Sequence, residues 1–239
     1  YNQYTKVEDC FEDNTKYIHA LETGMSSDPA MNWRLSCLDK FQLVSFSDAH
    51  SFWPYRLGRE ATIFDFKELS YDNFIKVIRT GEGLKSTIET YTSYGKYHFT
   101  GHRLCGVSFS PKESQKLNKL CPKCGNKLTI GVADRIEQLA DRSEGYKRKN
   151  AVPFISLVPL HELIAAVYDI KQLYAKKVWD IYTQLIEVFR NEFNVLLNVE
   201  YEDLIKVVHK NLADVIIKNR DGNLQIKHGY DGVYGQVIL

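Results

Sequence analysis

Apolar positions along the chain change period twice, and the changes divide it into three segments. In residues 1–83, short apolar runs alternate with amphipathic stretches, the pattern of α/β units. Ile18–Thr23 reads as a strand that ends in the loop Gly24-Met25-Ser26-Ser27. Asp28 then caps a helix with Pro29 in its first turn and Met31, Leu35 and Leu38 on one face. Phe41–Phe46 is the next strand, and Ser70 starts a helix through Phe74, Val77 and Ile78 that stops at Gly81. Residues 84–132 are β-rich, with Thr87–Tyr91 and Lys96–Phe99 flanking a turn and Lys127–Ile130 as a later strand. Residues 133–239 are mainly helical. Ile136 with Leu139, then Leu160 to Val167, then Val178 to Val188 follow three-to-four spacing. Tyr201–Lys218 reads as one amphipathic helix, and Leu224–Leu239 as a hairpin. The pattern is therefore α/β, then a small β-rich segment, then an α-helical region closed by a β-hairpin.

Two matched knuckles make the β-rich segment a zinc ribbon, so the fold class is α/β plus zinc ribbon plus α-helical region. His102-Arg103-Leu104-Cys105-Gly106 is followed by Cys121-Pro122-Lys123-Cys124-Gly125. Each supplies two ligands two residues apart and then a glycine, which permits the positive φ of a tight knuckle turn. Three thiolates and one imidazole leave no open position, so His102, Cys105, Cys121 and Cys124 form a structural rather than a catalytic zinc site. His98 competes with His102 for the fourth place.

Ser47-Asp48-Ala49-His50 lies at the C-terminal end of the second predicted strand. An Asp and a His two apart there face the same side and can hold a divalent ion. A capped turn beside a surface histidine has the same sequence.

Composition adds limits. The chain has 239 residues, 44% hydrophobic and 26% charged, with a net charge of +1. Nothing global marks a nucleic-acid binder, so any DNA contact must be local. Tyr146-Lys147-Arg148-Lys149, with Lys123 and Lys127 by the second knuckle, supplies local positive charge or a solvated loop. No apolar run approaches the ~20 residues that span a membrane. The cysteine total of five is odd. Cys10 and Cys37 read as small apolar residues, and the pattern predicts a reducing, cytoplasmic setting. Gly81-Glu82-Gly83-Leu84-Lys85-Ser86 lacks the spacing of a nucleotide phosphate loop, which leaves a helicase motor without support.

Ser47-Asp48-Ala49-His50 resembles the last metal motif of the PHP (polymerase and histidinol phosphatase) metallohydrolases. Ala20–Pro29, Met31–Arg34, Ser47–Ser51, Leu57–Ala61, Gly95–His98, both knuckles, Leu128–Val132 and Gly229–Gly235 together resemble endonuclease Q. That resemblance covers nearly the whole chain. It implies the C-terminal part of a PHP domain, a distorted β/α barrel, in residues 1–83, a zinc domain in 84–132 and helical elements in 133–239. It implies a DNA-repair nuclease that cuts 5′ of deaminated bases (uracil, hypoxanthine, xanthine) and abasic sites with Mg²⁺, Mn²⁺ or Zn²⁺ at the hydrolytic centre. A partner among replication or repair proteins is also implied.

Asp48 and His50 are the residues to which a catalytic and metal-binding role carries over. The early His-x-His strand, the Glu and the further His residues of a PHP site have no counterpart here. With Tyr1 in place of an initiating methionine, the expectation is a C-terminal portion of a longer enzyme, inactive alone. Base selection by extrusion makes Glu22, Ser26, Ser27, Asn32 and Arg34 candidate DNA contacts, because they follow a strand end. Arg103, Lys147, Arg148, Lys149 and Tyr230 are the others. The competing readings are a non-catalytic zinc-ribbon DNA-binding module and a different PHP phosphoesterase.

Overall fold

A computed structural model describes residues 4–239. α1 (Val7–Phe11) precedes β1 (Ala20–Glu22), α2 (Pro29–Trp33) and β2 (Gln42–Val44). β1 and β2 pair in parallel, Leu21 opposite Leu43. α2 begins where the sequence places it. The Asp28 carboxylate accepts the Met31 amide at 2.8 Å and Pro29 takes a first-turn position whose N–H would be orphaned in any case. It ends at Trp33, and Ser36–Leu38 is a separate 3₁₀ turn, so Met31, Leu35 and Leu38 do not share one helix.

Next come α3 (Pro54–Leu57), β3 (Ala61–Phe64), α4 (Tyr71–Thr80) and β4 (Leu84–Thr90). Ser70 caps α4 and Gly81, at φ 75°, ends it, as expected. β4 does not form a hairpin with Lys96–Phe99. It pairs antiparallel with β3 and parallel with a later strand, while Thr92–Tyr94 make a 3₁₀ turn. Thr87, Ile88 and Glu89 are buried in succession, the mark of a central strand covered on both faces.

β5 (Thr100–His102) and β6 (Val107–Phe109) form the ribbon hairpin around the first knuckle. α5 (Pro111–Lys116) leads to the second knuckle, and α6 (Val132–Leu139) follows. The expected strand at Lys127–Ile130 is reduced to isolated bridges, Leu120 with Lys127 and Gly101 with Thr129.

β7 (Phe154–Leu157) lies inside the stretch predicted helical and is the parallel partner of β4. The sheet β3–β4–β7 thus takes one strand from each predicted segment. The helices α7 (Leu160–Val167), α8 (Lys176–Phe189), α9 (Glu192–Leu197), α10 (Tyr201–Val207) and α11 (Lys210–Arg220) then enclose the main core. Leu160, Leu163, Ile164, Val178, Leu185, Leu204, Leu212 and Ile216 have no exposed surface there. The single helix expected over Tyr201–Lys218 breaks at Val208, which is extended. His209 restarts it, its ring nitrogen 3.3 Å from the Asn211 amide. β8 (Gln225–Lys227) and β9 (Gln236–Ile238) close the chain as the predicted hairpin.

Polar groups lock the layers together. Asn219 brackets Val158, receiving its amide at 2.9 Å and donating to its carbonyl at 3.1 Å. Arg220 donates to the carbonyls of Leu196, Val195 and Val199. Between the two parallel-containing sheets, Thr23 donates to Glu89 at 2.8 Å, and Ser45 exchanges hydrogen bonds with Thr62 at 2.8 Å. Trp33 meets Phe154 edge to face at 5.7 Å.

Candidate metal and nucleic-acid sites

The four knuckle residues converge. His102, Cys105, Cys121 and Cys124 each offer a ligand atom, all within 4.8 Å of one another. Ligands at ~2.0–2.3 Å around a tetrahedral zinc stand a little closer than this, so the set fits one ion. Gly106 and Gly125 take φ of 62° and 73°, as the knuckle turns require. His98 is elsewhere. It is buried in a stack with His228, ring centroids 5.1 Å apart, and burial lowers its pKa to about 4. That leaves His102 as the fourth ligand. Cys10 and Cys37, read as small apolar residues, are both exposed.

Asp48 and His50 also come together. Their carboxylate and imidazole lie 3.8 Å apart, and the His50 ring nitrogen is 2.7 Å from the Asp48 carbonyl. Both side chains are open to solvent, and Asp48 takes a left-handed φ of 44°. The loop is held from behind, because Arg59 donates to the Ser47 carbonyl at 3.1 Å. Among the described residues no third His, Cys, Asp or Glu joins the pair at ligating distance. The pair therefore offers one hard oxygen and one imidazole to a divalent ion, a donor set suited to Mg²⁺, Mn²⁺ or Zn²⁺ but not a full coordination shell.

A cleft of about 870 Å³ opens where the three segments meet, with Ser26, Arg56, Arg59, Tyr94, Lys96 and Glu162 on its walls. Burial raises the Glu162 carboxyl above its ordinary value. A second cleft of about 460 Å³ joins it through Arg56 and Arg59 and reaches His50. Arg56 and Glu162 carry no local signal, because they sit on different elements, whereas Arg59 falls in the Leu57–Ala61 stretch that resembles endonuclease Q.

The structure superposes on the lesion-specific endonuclease PfuEndoQ of Pyrococcus furiosus with a TM-score of 0.89 at 32% identity, over 99% of this chain and 58% of that one. An endonuclease Q complex with a 27-mer duplex, an abasic lesion at its active site, gives 0.86 at 32% identity, over 99% and 59%. The chain is thus similar to endonuclease Q along nearly its whole length, and spans somewhat over half of those two structures. The family model of the MJ0043 C-terminal domain matches residues 159–223, which run from α7 to just past α11. The uncharacterized protein MJ0043 of Methanocaldococcus jannaschii is 32% identical over 99% of the chain and 30% of its own length. YqxK of Bacillus subtilis, also uncharacterized, is 30% identical over 92% and 52%. The chain thus spans from under a third to about half of these relatives.

Within this endonuclease Q fold the predicted DNA contacts separate into two groups. Ser26 lines the large cleft, and Glu22, Arg103, Lys147 and Lys149 are exposed. The rest are engaged in the fold. Ser27 donates to the Thr23 carbonyl at 2.7 Å, and Asn32 donates to Ser27 at 3.0 Å and to the Asp28 carbonyl at 2.8 Å. Arg34 pairs with Glu137 at 2.7 Å. Arg148 donates to the Asp39 and Phe41 carbonyls at 3.0 and 3.3 Å. The Tyr230 ring covers Gly101, where an added Cβ would stand 2.5 Å from it. No helix among the described residues is long and apolar enough to cross a membrane.

Proposed function

We propose that the chain is part of a DNA-repair endonuclease that hydrolyses the phosphodiester 5′ of deaminated bases (uracil, hypoxanthine, xanthine) or abasic sites. The observation that carries this reading is the Asp48–His50 pair, 3.8 Å apart at the open end of β2, in a chain that superposes on endonuclease Q along its length. The family's other PHP ligands complete the shell in the reading's full form. Asp48 and His50 would hold divalent ions there, which would supply water activation and charge neutralisation, and Arg59 keeps their loop in place through the Ser47 carbonyl.

The lesion nucleotide leaves the helix and enters the large cleft, because a deaminated base differs from its parent by one exocyclic group that a duplex hides. Arg56, Arg59 and Lys96 give that cleft its positive wall. The zinc cluster braces the fold and takes no part in hydrolysis, since its four ligands fill a tetrahedral ion. Products are a 3′-hydroxyl and a 5′-phosphate.

The test is a nicking assay on uracil and abasic duplexes with Mg²⁺ or Mn²⁺, using the protein in its full native length. Asp48→Asn and His50→Ala lose nicking and keep lesion binding. Cleavage at the wild-type rate by either variant refutes the metal assignment.

A further inference from the structure

A column of aromatic rings runs from the helical core to solvent beside the Asp48–His50 loop. Its root is Tyr182, whose hydroxyl donates to Glu192 at 2.8 Å, while Glu192 also receives the Leu160 amide at 2.8 Å. Tyr182 meets Trp179 at 5.1 Å, and Trp179 meets Trp53 at 5.4 Å. Trp53 stacks on Phe52 at 5.3 Å with the planes 23° apart. Tyr55 braces the column from the side, stacked on the fully buried His161 at 3.9 Å. Core aromatics end where the core ends. This column continues outward, to a Phe52 that is 78% exposed and a Trp53 that is 37% exposed.

A single exposed phenylalanine is ordinary. A pre-stacked exposed pair on a rooted column is different. Its rings are held in place before any ligand arrives, so little ordering entropy opposes stacking on it. Its surroundings select the ligand. Phe52 is two residues from His50, and the adjoining cleft carries Arg56 and Arg59 but no acidic wall. Neither arginine forms an ion pair with a carboxylate among the described residues. Flat apolar faces next to unpaired guanidinium groups match a nucleobase and its flanking phosphate.

We propose that Phe52 and Trp53 form a stacking wedge for the base left in the duplex when the lesion nucleotide swings out, with Arg56 on the adjacent phosphate. This rests on the endonuclease reading and adds to it. The wedge does not read the lesion. It replaces the stacking partner that the remaining base loses, and so lowers the cost of extrusion and holds the strand break point against Asp48 and His50. The residues are positioning residues, since they act on the neighbouring base rather than on the reacting phosphate.

Fluorescence anisotropy tests it, with labelled duplexes that are intact or carry one abasic site, in Mg²⁺-free buffer at several salt concentrations. Phe52→Ala weakens binding to the abasic duplex by about tenfold and leaves the intact duplex within about twofold. Phe52→Tyr, which keeps the ring, restores binding. The salt dependence stays that of wild type in Phe52→Ala, and its slope falls by about one in Arg56→Ala. Unchanged affinity of Phe52→Ala for the abasic duplex overturns the wedge, and so does an equal loss on both duplexes. Should wild type bind neither duplex, the endonuclease reading falls with it. Should wild type prefer the abasic duplex, and nick it once Mg²⁺ is added, while Phe52→Ala does both equally well, the wedge alone falls.

Discussion

Thr129 donates its hydroxyl to Asp231 at 2.6 Å, and the same carboxylate receives the Arg103 amide at 2.5 Å. One residue of the terminal turn thereby grips both sides of the segment that carries the two knuckles. The same turn places Tyr230 on Gly101 and bridges Phe99. Asp231→Ala is expected to cost about 1–3 kcal/mol, the usual loss when a half-buried acceptor leaves two donors unpaired. Urea unfolding measures it, and zinc content should not change.

Zinc content itself discriminates the two histidines. His102→Ala, Cys121→Ser and Cys124→Ser are expected to lose the ion and lower the melting temperature, since structural zinc contributes folding free energy. His98→Ala retains one zinc per chain. Metal analysis by emission spectroscopy reads both outcomes.

Substitution at the open loop should leave stability alone. The Asp48 and His50 side chains are 77% and 83% exposed, and such positions usually change stability by less than about 0.5 kcal/mol. Asp48 sits at φ 44°, a conformation asparagine also accepts. Asp48→Asn and His50→Ala therefore melt with wild type, and a loss of nicking in them reports chemistry rather than unfolding.

Burial pushes the Glu60 carboxyl up to about 7, with the charge of Glu89 adding to it. Ser45 and the Thr90 amide pull the other way. Glu89 is raised in the same sense, and Arg59 opposes. Below about pH 4.5 the group is protonated in both folded and unfolded chains. Between 4.5 and 7 only the unfolded chain ionises, so stability falls as pH rises, and the fall is complete above 7. The size is about 3 kcal/mol at most. The difference between wild type and Glu60→Gln, followed by thermal melts across this range, isolates it.

Asn219 is fully buried and satisfies both backbone groups of Val158. Asn219→Leu leaves an amide and a carbonyl unpaired inside the core. A loss of about 2–4 kcal/mol is expected in denaturant unfolding, larger than for Asn198→Leu on the exposed end of α9.

Local chemistry was legible in the chain. Asp28 with Pro29, Ser70 with Gly81, the two knuckles and the terminal hairpin act over a few residues, and each appears where its residue types require. Pairing over distance was not. β4 reads like half of a hairpin, yet its partners are Ala61–Phe64 and Phe154–Leu157. Phe154–Leu157 is a short apolar run among helices, which periodicity cannot separate from them. The helix break at Val208 has no glycine or proline to announce it. The convergence of the knuckle residues and the closeness of Asp48 to His50 were legible because their spacing is local. Arg34 and Arg148 look like free cations in sequence, and Glu137 and two backbone carbonyls claim them in the fold. Arg56 and Glu162 share a cleft across more than a hundred positions, where no local pattern can join them.

Because Thr87 pairs with Phe154 and Thr90 with Leu157, the whole excursion over residues 91–153 leaves and re-enters the molecule at adjacent strands. A parallel neighbour demands a crossover, and here the module with the two knuckles serves as that crossover. The sheet itself sets little limit on its length, since closing a longer loop adds little entropic cost; what fixes the module in place are its side contacts, Glu137 with Arg34, Arg142 with Asp39 and Asp231 with Arg103 and Thr129.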